Sequence, residues 1–168
     1  NLINYAYACC AGLDFFPEMD GLILSQQGEG VYLFNESTDT WSTIQAGIPS
    51  GTTYGFAEYN PVHKVVIFGS TNSLYKLSSN RVITQLNNPP ISFYDGSAWL
   101  SIHTVDPVSG DYIILAPTSF DIYFYNVLTD TWINTPMNAP FGGSSGVVAT
   151  PINTYGVILF VNCIVNGS

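Results

Sequence analysis

One phrase of the sequence occurs twice and decides the fold: Phe34-Asn35-Glu36-Ser37-Thr38-Asp39-Thr40-Trp41 and Tyr125-Asn126-Val127-Leu128-Thr129-Asp130-Thr131-Trp132. The two copies begin 91 residues apart, and a degenerate third copy lies between them, Tyr75-Lys76-Leu77-Ser78-Ser79-Asn80-Arg81-Val82. The period is therefore about 45 residues. Repeats of this length that consist of short strands are typical of β-propeller blades.

A turn that carries proline follows the same period. Its prolines, spaced 44, 46 and 44 residues apart, are Pro17, Pro61, Pro107 and Pro151. A continuous apolar run follows each proline, whereas a strand with one wet face would alternate, so we expect strands that are buried on both faces. The sequence predicts an all-β chain of four-stranded antiparallel blades in a single domain, 1–168. Three full repeats and a partial fourth are predicted at 8–46, 52–90, 98–137 and 143–163.

The repeated phrase suits a tight turn between two strands. Asparagine, threonine and tryptophan recur at matched positions, Asn35, Thr38 and Trp41 in one copy and Asn126, Thr129 and Trp132 in the other. Asparagine and threonine side chains start turns by bonding nearby backbone groups. The tryptophans are expected to cover the outer edge of the neighbouring blade. We interpret these residues as structural, and we do not interpret the adjacent aspartates as a catalytic pair.

At these positions the chain resembles the kelch family of β-propellers. The kelch repeat has an aromatic–Asp pair, a threonine three residues later and a tryptophan three residues beyond that. The counterparts here are Phe34, Asn35, Thr38 and Trp41, then Tyr125, Asn126, Thr129 and Trp132. Gly69 is similar to one glycine of the pair that closes the second kelch strand. The resemblance implies a propeller of the galactose-oxidase central-domain superfamily, and four-bladed haemopexin-like propellers are the alternative on size.

Charge excludes one class of partner. The chain has 168 residues and a net charge of −9, and its only cations are Lys64, Lys76 and Arg81. Nucleic-acid binding needs clustered lysine and arginine, so no nucleic acid is expected. No apolar run reaches the roughly 18–20 residues of a membrane span, so no membrane insertion is expected.

Two glycosylation acceptors, at Asn35 and Asn166, and the scarcity of lysine predict a secreted glycoprotein. Three cysteines lie near the two ends of the sequence, Cys9, Cys10 and Cys163. One of the first two could form a disulfide with Cys163 and leave an odd thiol for another chain. The alternative is that all three are small buried hydrophobes.

No constellation with catalytic or metal-ligating spacing occurs in the sequence. The two histidines, His63 and His103, are too few for a metal centre, and no cofactor is predicted. The leading hypothesis is a non-catalytic extracellular module that binds protein or glycan, as a subunit of a larger assembly. Self-association through an open blade edge is expected, unless residues 1–7 complete the last blade. The alternative is a fragment of a galactose-oxidase-like carbohydrate-active enzyme whose catalytic residues lie outside this chain.

Overall fold

The computed structural model describes residues 11–26, 29–48, 55–94, 101–143 and 146–162. These residues form fourteen β-strands and two single-turn 3₁₀ helices, Pro17–Met19 and Asn153–Tyr155. The predicted all-β fold class is confirmed. In the described ranges no helix has the length and hydrophobicity that crossing a bilayer requires. The chain divides into two compact units, Asn1–Pro89 and Pro90–Ser168, and the single domain stays a prediction.

The first unit consists of two four-stranded antiparallel sheets, each with its strands in sequence order. The first sheet contains β1 (Ala11–Phe16), β2 (Gly21–Gln26), β3 (Gly30–Asn35) and β4 (Thr40–Ala46). The second contains β5 (Phe56–Asn60), β6 (Val65–Ser70), β7 (Ser73–Ser78) and β8 (Ile83–Gln85).

The second unit holds one complete and one incomplete sheet. The third sheet contains β9 (Ile102–Val105), β10 (Tyr112–Leu115), β11 (Asp121–Asn126) and β12 (Thr131–Asn138). The fourth contains β13 (Val147–Ile152) and β14 (Val157–Asn162). Within the described residues the strands fall inside the predicted repeats, except that β12 ends one residue beyond the third.

The same hairpin connects the first two strands of every sheet. A residue with a left-handed backbone precedes the second strand each time: Asp20, Lys64, Gly110 and Gly156, at φ of 50°, 54°, 76° and 62°. These four residues supply a structural alignment of the repeats. Four residues after them lie Leu24, Phe68, Ile114 and Phe160, which we call the aligned positions.

This alignment corrects the third copy of the phrase. Opposite the second strand, Leu77 takes the place of Phe34, because Leu77 pairs with Val66 as Phe34 pairs with Leu22. The repeat pattern of the sequence predicts Tyr75 at the place of Phe34, which is two residues from the observed one. The turn after Ser78 reaches its left-handed residue, Arg81, in three residues, whereas the turn after Asn35 reaches Asp39 in four, and this difference obscured the register.

The core of the first unit lies between its two sheets. Fully buried Phe16, Ile23 and Phe68 belong to it, together with Leu77 and the largely buried Tyr75. β1 and β5 are in close backbone contact, and the backbone amide of Tyr59 donates a hydrogen bond to Asp14 Oδ2. The Phe16 and Tyr59 rings lie 5.6 Å apart. Apolar burial of this extent is the main stabilising contribution to the unit.

Gly69 is required by the tightest hairpin among the described residues. Ser70 pairs with Ser73 across a two-residue turn, and a Cβ at Gly69 would overlap the carbonyl oxygen of Ser73. The equivalent residues of the first and third sheets, Ser25 and Leu115, carry buried side chains and lie in longer hairpins. The role of Gly69 is therefore local.

We expect Gly69→Ala to lower the unfolding free energy by about 1–3 kcal/mol, because a methyl group there forces the hairpin to shift. Ser70→Ala is the matched control. The Ser70 hydroxyl is buried without a hydrogen-bond partner, so its removal should be neutral or slightly stabilising. Urea unfolding of both variants measures the difference, and equal midpoints would contradict the steric explanation.

Candidate functional site

In the part of the chain that the structure describes, the fourth sheet has one unpaired edge. β14 pairs antiparallel with β13, and among the described residues no third strand pairs with its other edge. In the three complete sheets the corresponding strand pairs with β3, β7 or β11. An unpaired strand edge presents backbone donors and acceptors to any extended segment that reaches it.

Alternate apolar side chains of β14, which share one face of the fourth sheet, are exposed. Leu159 directly precedes an aligned position and is 46% exposed. The residues that directly precede the aligned positions of the complete sheets, Ile23, Ile67 and Ile113, are only 0%, 2% and 9% exposed. Val157 and Val161 are exposed as well. The prediction that this apolar run is buried on both faces is therefore wrong for β14. Its sequence is that of an inner strand, but nothing among the described residues covers this face of the fourth sheet.

An apolar cavity lies beside the open edge, inside the second unit. Its volume is about 220 Å³, and its lining includes Leu115, Ile122, Met137, Pro140, Phe141 and Phe160. Of the lining residues only Asn138 has a polar side chain, and none is charged. Since Ile122 and Met137 belong to β11 and β12, the third sheet extends over the space beyond β14. A pocket of this composition suits an apolar or aromatic group.

The asparagines of the repeated phrase hold turns, as predicted. Asn35 Oδ1 accepts hydrogen bonds from the Thr38 backbone amide (3.1 Å) and the Ser37 hydroxyl (2.6 Å). Asn126 Oδ1 accepts from the Thr129 amide (2.9 Å) and hydroxyl (3.0 Å), and its Nδ2 donates to Asp111 (2.8 Å). Asn35 itself is half-buried.

The tryptophans of the phrase pack on their own sheets. Trp41 pairs with Phe34 and Trp132 with Tyr125, at ring-centroid distances of 5.1 and 4.5 Å. Directly opposite aromatic residues on neighbouring strands are a standard stabilising pair. Trp132 also lies 6.3 Å from Phe93 in the same unit.

Sequence reasoning missed a buried phenol. Tyr125 is fully buried, and its hydroxyl donates a 2.8 Å hydrogen bond to Asp130 Oδ1. Burial, and then the hydrogen bond and charge of Asp130, raise the pKa of Tyr125 far above its ordinary value. Burial is also the main cause that raises the pKa of Tyr32, Tyr75 and Tyr123.

The two histidines lie in different units of the chain. His63 lies in a turn of the first unit and His103 in β9 of the second, and both are half-buried. Within the described ranges, no three side chains of His, Cys, Asp or Glu come together as a metal site would require. The cysteines Cys9, Cys10 and Cys163, the acceptor Asn166 and residues 1–7 lie outside the described residues.

No protein-family model and no curated protein matches the chain. The solved structures that are similar to it include two described as auxiliary nutrient binding proteins. The one from Bacteroides thetaiotaomicron has a TM-score of 0.62 and 14% identity, and the one from Bacteroides ovatus 0.64 and 13%. The matches cover 92% and 90% of this chain but only 36% and 35% of those chains. The chain thus spans about a third of the length of these structures, and likeness at this identity shows the fold alone.

The kelch assignment, with its galactose-oxidase superfamily, is wrong. The similar structures are nutrient binding proteins, and the described strands form separate antiparallel sheets in which no closed propeller is seen. The features that suggested kelch have local causes. Gly69 serves a two-residue hairpin, and the tryptophans stack on aromatic residues directly opposite them.

Proposed function

We propose that the chain is a non-catalytic binding module whose fourth sheet binds a segment of another polypeptide. The observation that carries the proposal is the open, apolar edge of β14 beside the cavity at Phe160. Strand addition to such an edge satisfies backbone hydrogen bonds, while a neighbouring pocket selects side chains. The names of the similar structures, both nutrient binding proteins, support a binding role in general.

A polypeptide fits this site better than a glycan. A sugar presents many hydroxyl groups, and each one that is buried needs a hydrogen-bond partner. The cavity lining offers only the Asn138 amide for that purpose. An extended peptide instead brings its own donors and acceptors to the β14 backbone and an apolar side chain to the cavity.

Peptide and glycan libraries would test the proposal. The purified chain is used to select from a displayed peptide library and to probe a glycan array, beside its Phe160→Asp variant. We expect peptides to be enriched by the chain and lost with the variant, because a carboxylate in the apolar cavity opposes burial of an apolar side chain. A glycan whose binding is abolished by Phe160→Asp, or no ligand sensitive to the variant, would contradict the proposal.

The larger context is also a proposal. We take the sheets to be blades of a β-propeller that forms part of a longer extracellular protein or assembly. Neighbouring strands in each sheet are consecutive in the sequence, as they are in the blades of a β-propeller. Self-association, which the sequence led us to expect at an open blade edge, would compete for the same surface, and sedimentation at low and high salt distinguishes it from peptide binding.

A glycan on Asn35 is the consequence of secretion that mass measurement can check. We expect the protein from its natural source to lose mass on glycosidase treatment, and Asn35→Gln to remove the Asn35 part of that shift. Thr38→Ala, which keeps the Asn-Glu-Ser acceptor, is the control. An unchanged intact mass would count against both the glycan and the extracellular location.

A further inference from the structure

The third strands of the complete sheets share a tyrosine in one register. Tyr32, Tyr75 and Tyr123 lie directly opposite the aligned positions Leu24, Phe68 and Ile114. All three tyrosines are at most 8% exposed. In β14 the aligned position is Phe160, and among the described residues nothing pairs with it on the open side.

The first unit shows what such a tyrosine does. Tyr75 stacks on Phe68, with ring centroids 5.5 Å apart and planes inclined by 16°. Both rings belong to the buried core between the two sheets, together with Val31 and Ile48 of the first sheet. The tyrosine of one sheet thus fills the space against the sheet that precedes it.

The cavity of the second unit occupies the corresponding place. Phe160 is aligned with Phe68. Ile122 precedes the tyrosine of β11 as Val31 precedes that of β3. Pro140 matches Ile48, because the preceding residues, Ala139 and Gly47, donate equivalent backbone bonds to Phe120 and Glu29. Phe160, Ile122 and Pro140 all line the cavity. The tyrosine has no counterpart among the described residues, and the cavity, of about 220 Å³, lies where its side chain would be.

The geometry points to a specific occupant of the edge, and this inference rests on the proposed function. We propose that β14 accepts an extended strand of the pattern shared by β3, β7 and β11, added antiparallel, with its tyrosine stacked on Phe160 inside the cavity. The pattern is an apolar residue, tyrosine, any residue and an apolar residue, as in Leu74-Tyr75-Lys76-Leu77. The open edge and the cavity are separate observations, and one strand with a tyrosine would fit both.

A second copy of the chain is another possible occupant, and the third sheet opposes it. Because β11 and β12 extend over the space beyond β14, a second copy paired edge to edge would bring its own third sheet into that space. A single strand can enter beneath the third sheet. A second copy also brings a net charge of −9 against −9.

The test uses a fluorescent peptide that copies residues 71–86, which contain β7 and β8, and its Tyr75→Ala version as the matched control. Anisotropy titration measures binding to the intact chain. We expect Tyr75→Ala to weaken binding at least about tenfold, because the aromatic ring supplies the buried area. Phe160→Ala in the chain should weaken binding of the tyrosine peptide by a similar factor without changing that of the alanine peptide. Leu128→Ala, at an exposed turn, should change neither.

The outcomes separate this proposal from the general one. Equal binding of the two peptides, or no binding of either, would overturn the strand proposal. So would a dimer in sedimentation that Phe160→Ala dissociates, since a second copy would then hold the edge. Library peptides without an aromatic residue that bind in a Phe160-dependent manner would leave the binding module intact and refute only the tyrosine. Circular dichroism of each variant confirms that it is folded.

Discussion

Gly12→Ala should separate the two sheets of the first unit. A Cβ at Gly12 would overlap backbone atoms of Phe56 and Ala57 in β5, where no flexible side chain can move aside. The sheets must then part along the core that contains Phe16 and Phe68. We expect a loss of more than about 3 kcal/mol in unfolding free energy, at the upper end for overpacking.

Gly47→Ala is the control for this substitution. Gly47 has a φ of 65° and no atom near the added methyl group, so only backbone strain of about 1–2 kcal/mol is expected. Urea denaturation followed by circular dichroism compares the two variants. Equal destabilisation would show that the close contact of β1 and β5 does not hold the sheets together.

Alkaline pH should destabilise the chain through Tyr125. The unfolded phenol loses its proton near its ordinary pKa of 10.0, whereas the folded phenol keeps it because its pKa is raised. Stability is therefore fully present below pH about 10 and falls above it, by about 1.4 kcal/mol per pH unit for this one group. Tyr125→Phe should flatten this slope, at a cost of about 1–3 kcal/mol at neutral pH for the lost bond to Asp130.

The measurement is a series of urea unfolding curves between pH 8 and about 11.5. Tyr155→Phe is the matched control, since Tyr155 belongs to the same unit and is 77% exposed. We expect the control to keep the slope of the unmodified chain. A slope that persists undiminished in Tyr125→Phe would assign the alkaline effect to other groups.

The sequence was sufficient for the repeats because their signals are local. Proline turns, apolar runs and the asparagine turns at Asn35 and Asn126 each depend on neighbours only a few residues away, so period and sheet number followed directly. The middle copy was misplaced because its turn is one residue shorter, which no composition signal reveals. Kelch was inferred from residue types whose roles here are local packing.

The site could be predicted only in part. The incomplete fourth repeat was visible in the sequence, and with it the open edge. The exposure of Leu159 and the cavity at Phe160 were not, because the first depends on what lies against that face of the fourth sheet and the second on how the third sheet extends over β14. The recurring tyrosines were present in the sequence. Their meaning required the register that aligns Tyr75 with Tyr32 and Tyr123.

Amide hydrogen exchange along β14 tests the central claim most directly, namely that this strand is an inner strand with one open edge. In an antiparallel pair, successive amides point alternately toward and away from the partner strand. We therefore expect every second amide between Val157 and Asn162 to exchange rapidly, while the aligned strands β2, β6 and β10 are protected throughout. Uniform protection of β14 at the level of β6 would contradict the claim, because its outer edge would then already be paired.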